Sequence, residues 1–135
     1  RNFQGKVMAT SGAGKPVYYS GLKTIDMYGL NDIFIGHKKV DTFSWPGHNK
    51  SDMDYVISRK PDIIATFIRP NLDIFNGYKH TGYDSAGYTI RFLLNTSKWH
   101  MPQDIIDVQS LEPDSLSRLI EQEYDFAVLE RASEP

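Results

Sequence analysis

The sequence predicts an α/β fold: three layers, with a mainly parallel sheet flanked by helices, in a single soluble domain over residues 1–135. Two observations carry this. Apolar runs of strand length recur at 6–10, 23–27, 62–68 and 124–129, each bounded by glycine or proline or fed by a helical segment. A helical pattern also leads straight into such a run twice, from 51–60 into Ile63-Ile64-Ala65 and from 113–123 into Phe126-Ala127-Val128. Repeated helix-to-strand units of this kind build a sheet with parallel neighbours.

The first run, 6–10, stops at Ser11-Gly12-Ala13-Gly14, a glycine turn. Gly12 to Lys15 raises the question of a phosphate-binding loop. That loop needs glycine where Ala9 stands and a hydroxyl where Pro16 stands, so the reading here is a turn leading into a short helix with Pro16 in its first turn. Residues 23–27 form the second strand, and 30–36 a short helical or irregular segment. The polar stretch 37–50, punctuated by Trp45-Pro46-Gly47, is a loop. Ser51 caps the next helix, with Asp52 and Asp54 in its first turn and Met53, Val56 and Ile57 facing the sheet. Pro61 ends that helix by pushing its predecessor out of helical geometry.

Residues 71–87 have no sustained period and are long for a connection, which predicts a flap or a binding loop. Alternation over 88–94 predicts a strand, at an edge or partly exposed given Tyr88 and Arg91, and 105–108 predicts a further short strand. Leu116, Leu119 and Ile120 share one face of the last predicted helix.

Composition narrows the function. The chain is 40% apolar and 24% charged with a net charge of −2, the balance of a globular domain rather than a disordered tail or a polycation for nucleic acid. Without cysteine there is no disulfide framework and no thiolate chemistry. No apolar run approaches the ~20 residues of a membrane-spanning helix. The chain starts at Arg1 without a signal pattern, which gives the expectation that it is a segment of a longer protein.

Familiar catalytic patterns are missing. Gly-x-Ser-x-Gly is absent, with only Tyr19-Ser20-Gly21 as a faint echo. His37, His48, His80 and His100 have no metal-ligand spacing, so neither a metal nor another cofactor is expected. Asn49-Lys50-Ser51 and Asn95-Thr96-Ser97 match the glycosylation triplet, which matters only in a eukaryotic secreted context. The richest stretch is 14–32, where glycines, tyrosines, aspartates and Asn31 occur together between core-like segments. Polar residues just past a strand end occupy the place where ligands bind in open α/β sheets. Tyr18 and Tyr19 are candidates for stacking against sugar rings, while Tyr28 and Tyr88 read as core.

Four motifs in order, Pro16-x-Tyr18-Tyr19-Ser20-Gly21, Ile25-Asp26-x-x-Gly29-Leu30-x-Asp32, Pro46-Gly47-His48-x-Lys50 and Tyr55-Val56-x-x-Arg59-x-Pro61-Asp62, carry a resemblance. They are similar to the C-terminal soluble domain of bacterial polytopic membrane glycosyltransferases, the arabinofuranosyl- and mannosyltransferase-like proteins that use polyprenyl-phosphate sugars. The resemblance covers roughly 7–67. It implies a domain on the extracytoplasmic, periplasmic face of the inner membrane, tethered to a membrane region of its own. The expected ligands are a lipid-linked sugar or a glycan acceptor, and the catalytic acid lies outside this chain. Tyr18, Tyr19, Asp26, Asn31, Asp32, His48 and Lys50 are the candidate ligand-binding residues, and of these Asp26, Asn31, Asp32, His48 and Lys50 are expected at one mouth of the fold. A free-standing α/β enzyme and a structural domain packed on membrane helices remain the alternatives.

Overall fold

Short apolar runs and glycine turns set the elements of the computed structural model, which describes residues 3–12, 14–29, 32–39, 52–67, 82–97, 104–111 and 124–133. The elements are β1 (Val7–Thr10), α1 (Lys15–Ser20), β2 (Lys23–Asp26), α2 (Ile33–Gly36), α3 (Met53–Ser58), β3 (Ile63–Phe67), β4 (Tyr88–Leu94), β5 (Ile106–Asp107), a 3₁₀ turn (Val108–Ser110) and β6 (Phe126–Arg131). The fold is α/β-like, a mixed sheet of six strands with few helices. The chain divides into two compact units, 1–65 and 66–135.

In the first unit β1 lies between two parallel partners, with Val7 opposite Lys23 and Thr10 opposite Asp26 on one side and Met8 opposite Ile63 on the other. A strand flanked by parallel neighbours is covered on both faces, so its residues read as continuously apolar. Ala9 and Thr10 are fully buried, as are Val56 of α3 and Ile64 of β3. Asp62 fastens the entry to β3: its Oδ2 accepts from the Val7 amide at 2.8 Å, while its own amide donates to the Val7 carbonyl at 2.8 Å. Asp62→Ala removes a charged acceptor from a partly buried amide, and the expected loss is about 2 kcal/mol by urea denaturation. Asp62→Asn, which keeps an acceptor oxygen, is expected to lose less.

Two glycines of this unit meet. The turn after β2 puts Gly29 at φ 73°, and a Cβ built there would stand 2.7 Å from the Gly36 nitrogen and 2.7 Å from Ile35 Cγ2. A Cβ on Gly36 would stand 2.9 Å from the Gly29 carbonyl oxygen. This close approach seats the strand-end turn directly on α2.

The second unit is antiparallel. β4 pairs with β6 from Tyr88 opposite Arg131 to Leu94 opposite Phe126, with a shift between Ile90 and Phe92, and with β5 through Phe92 and Leu93. The mainly parallel sheet expected from the sequence therefore holds for the first unit only. Of the two expectations for β4 the partly exposed strand holds and the edge does not, since Thr89 is exposed and β4 has a partner on each side. Tyr88 is buried, and Arg91 is accommodated by Asp107, 3.1 Å away. Phe67 meets Phe126 edge-on at 5.0 Å between ring centres. Asp125 ties the end of β4 to the start of β6, accepting from the Thr96 amide at 2.6 Å and from the Thr96 hydroxyl. Residues 82–87 of the predicted loop form a tight turn anchored by buried Tyr83, whose carbonyl accepts from the Tyr88 amide at 2.9 Å. The predicted helix at 113–123 and the rest of that loop lie outside the described residues.

Candidate functional site

Three aspartates in the first unit act at element ends, as short carboxylate side chains do when nearby amides lack partners. Asp26 is buried at the end of β2, and its Oδ1 accepts from the Tyr28 amide at 3.0 Å, bending the chain toward Gly29. Asp32 caps α2, its Oδ1 accepting from the Phe34 and Ile35 amides at 3.0 and 3.1 Å. Asp52 caps α3 by accepting from the Tyr55 amide at 2.9 Å. The cap is thus Asp52, where the sequence reading placed it on Ser51: Asp52 has the extended backbone of a cap, and its carboxylate reaches the third amide of the helix.

The second oxygen of Asp32 leaves its own helix. Asp32 Oδ2 accepts from the Tyr55 hydroxyl at 3.2 Å, and that hydroxyl accepts in turn from Arg59 Nη1 at 3.4 Å. Tyr55 and Arg59 meet because residues four apart share a helix face, and the guanidinium lies 5.8 Å from the Tyr55 ring centre. The Phe34 ring stacks on Tyr55 at 4.3 Å and 21°. Asp32, Ile33, Phe34, His37, Lys38 and Tyr55 line a recess of about 720 Å³. The recess is shallow and open to solvent rather than an enclosed cleft.

Lys38 Nζ donates to Asp52 Oδ2 at 2.6 Å on the same recess wall. This bond, followed by the Tyr55 amide, holds the Asp52 carboxyl below its ordinary value of 3.8. A carboxyl with a lowered folded pKa contributes stability above its unfolded pKa and loses it as the pH falls through the folded value. Asp52→Asn keeps a cap oxygen but not the charge. Wild type is therefore expected to be the more stable at neutral pH, with the two curves converging in acid below about pH 4. Denaturant titrations across pH check this, and raised salt is expected to shrink the gap because Lys38 is half exposed.

Of the sequence-predicted candidates, Asp32 lines the recess, whereas Asp26 is buried in the strand-end turn. Tyr18 and Tyr19 lie on α1, and Tyr19 lines a different recess. Asn31, His48 and Lys50 lie outside the described residues. Phe34, His37, Lys38, Tyr55 and Arg59 were not among the candidates. The usable signal was the helical spacing of Tyr55 and Arg59, which sit in one of the motifs, but their meeting with Asp32 depends on tertiary packing. Among the described residues no group of three or more histidines, aspartates or glutamates is placed to hold a metal ion, and no helix is long and apolar enough to cross a membrane.

Fold and recess define an α/β-like domain with a mixed sheet and a surface recess of aromatic, acidic and basic groups. The chain belongs to the family described as a domain of unknown function, DUF8728, whose model matches residues 1–128. Comparisons with curated proteins and with solved structures returned no match.

Proposed function

We propose that this chain is the acceptor-recognition domain of a polytopic membrane glycosyltransferase-like protein, positioned on the extracytoplasmic side and tethered by a membrane region. The observation that carries the reading is the junction of Asp32 with Tyr55 and Arg59. These residues come from two of the four motifs behind the glycosyltransferase resemblance; Asp32 and Tyr55 line one recess, and Arg59 joins them through the Tyr55 hydroxyl. Its chemistry suits a sugar: the Phe34–Tyr55 pair offers an apolar ring surface for sugar C–H groups, while a carboxylate and cations take up hydroxyls or a phosphate. In this reading Asn31, His48 and Lys50 contribute to the same acceptor site.

The domain adds binding energy remote from the reacting bond, which raises turnover when it is spent on positioning. The chain by itself is expected to form no product from a polyprenyl-phosphate sugar and a glycan acceptor, while the membrane-embedded protein turns over. Titration of the chain with acceptor glycans, followed by NMR shifts of the Tyr55 and His37 amides, is expected to show saturable binding. Product formed by the chain alone overturns the accessory role, and an absence of glycan-induced shifts overturns acceptor recognition.

A further inference from the structure

A second surface of the first unit is built differently from the recess. Helix α1 leaves Tyr18 82% and Tyr19 77% exposed, their rings edge to face at 5.2 Å. The cost of that exposure is not forced by α1, which is stopped by Gly21 in the left-handed region and held by the Ser20 hydroxyl donating to the Val17 carbonyl. Tyr19 borders a recess with half-buried Phe3 and Leu22. Lys23 is exposed beside it, and the Lys6 ammonium stands 5.4 Å from the Phe3 ring centre.

Charge singles out the same segment. Residues 1–25 contain Arg1, Lys6, Lys15 and Lys23 and no aspartate or glutamate, although acidic residues outnumber basic ones 17 to 15 over the whole chain. The segment that carries the exposed tyrosines is thus wholly basic in its charged side chains. A neutral sugar offers ammonium groups hydrogen-bond acceptors but no opposite charge, and two perpendicular rings do not form one flat platform for it. A bilayer surface matches both features: tyrosine rings sit at headgroup level with the hydroxyl in water, and lysines gain from anionic headgroups.

We propose that the α1 face, with Tyr18, Tyr19, Phe3, Leu22, Lys6 and Lys23, docks on an anionic lipid surface. The inference stands apart from the sugar reading of the Asp32 recess, and neither falls with the other. The test is co-sedimentation of the chain with vesicles of phosphatidylcholine alone or with 30% phosphatidylglycerol. Binding to the anionic vesicles is expected to exceed that to neutral ones at least tenfold and to weaken steeply as salt rises, since surface attraction fades within a Debye length. Tyr18→Ser with Tyr19→Ser, and separately Lys6→Glu with Lys23→Glu, are each expected to reduce it about tenfold or more with circular dichroism unchanged. Ile33→Ser with Phe34→Ser, on α2, is expected to leave it intact. Equal or no binding to the two vesicle types overturns the proposal. So does loss of binding in the α2 variant with retention in the α1 variants, or glycan binding that disappears with Tyr18 and Tyr19 while vesicle binding persists.

Discussion

Replacing Gly29 with alanine is expected to destabilise the chain by about 3 kcal/mol, from a left-handed backbone penalty of roughly 1–2 kcal/mol and an overpacking cost of similar size. The φ of 73° supplies the first part, and the Gly36 nitrogen and Ile35 carbonyl carbon, 2.7 and 2.8 Å from the added Cβ, supply the second. Both obstructing atoms belong to backbone, which cannot swing aside as a side chain can. Gly21→Ala is the comparison, because Gly21 also has positive φ, at 63°, but nothing lies within 4 Å of its Cβ. Its expected loss is only about 1 kcal/mol. Urea denaturation followed by circular dichroism measures both. Equal losses would show that the approach of the strand-end turn to α2 relaxes easily, contrary to the geometry.

On the proposed acceptor-recognition function, Asp32→Asn in a membrane-embedded full-length protein is expected to raise the acceptor KM at least tenfold while lowering the stability of the isolated chain by less than about 1 kcal/mol, since asparagine caps a helix about as well as aspartate. The two effects separate because Asp32 uses one oxygen for the Phe34 and Ile35 amides and the other toward Tyr55 and the recess. Asparagine keeps an acceptor for the amides but removes the charge that, in the proposed acceptor site, would receive sugar hydroxyls. Tyr55→Phe is the companion variant. It keeps the ring stacked on Phe34 and deletes only the hydroxyl between Asp32 and Arg59, so a smaller rise in KM is expected. An unchanged KM in Asp32→Asn, with the chain still folded, removes Asp32 from the acceptor site.

Local interactions were legible from residue types alone. The run 6–10 read as a strand and Pro16 as the first turn of a short helix, because each outcome depends on residues within a few positions, whereas Asp26 and Asp32, read as ligand candidates, also serve amides just downstream. The parallel first unit was also legible, since helix-to-strand grammar constrains how the chain returns to the sheet. Strand direction in the second unit was not. Alternation over 88–94 is the same whether the partner runs parallel or antiparallel, and only the pairing of β4 with β6 and β5 decides it.

The recess shows the same division. Asp32 stood out as a polar residue past a strand end, but Tyr55, 23 residues further on, read only as a position on an amphipathic helix. What joins them is the seating of the Gly29 turn on Gly36, which fixes where α2 lies, together with the stacking of Phe34 on Tyr55. By itself the sequence determined which residues turn and fill the core, and the cap of α3 to within one position, because those roles are set by short-range sterics and hydrogen-bond supply. The tertiary structure alone decided which of the caps also faces a recess, because that depends on contacts between segments whose separation along the chain carries no periodic signal.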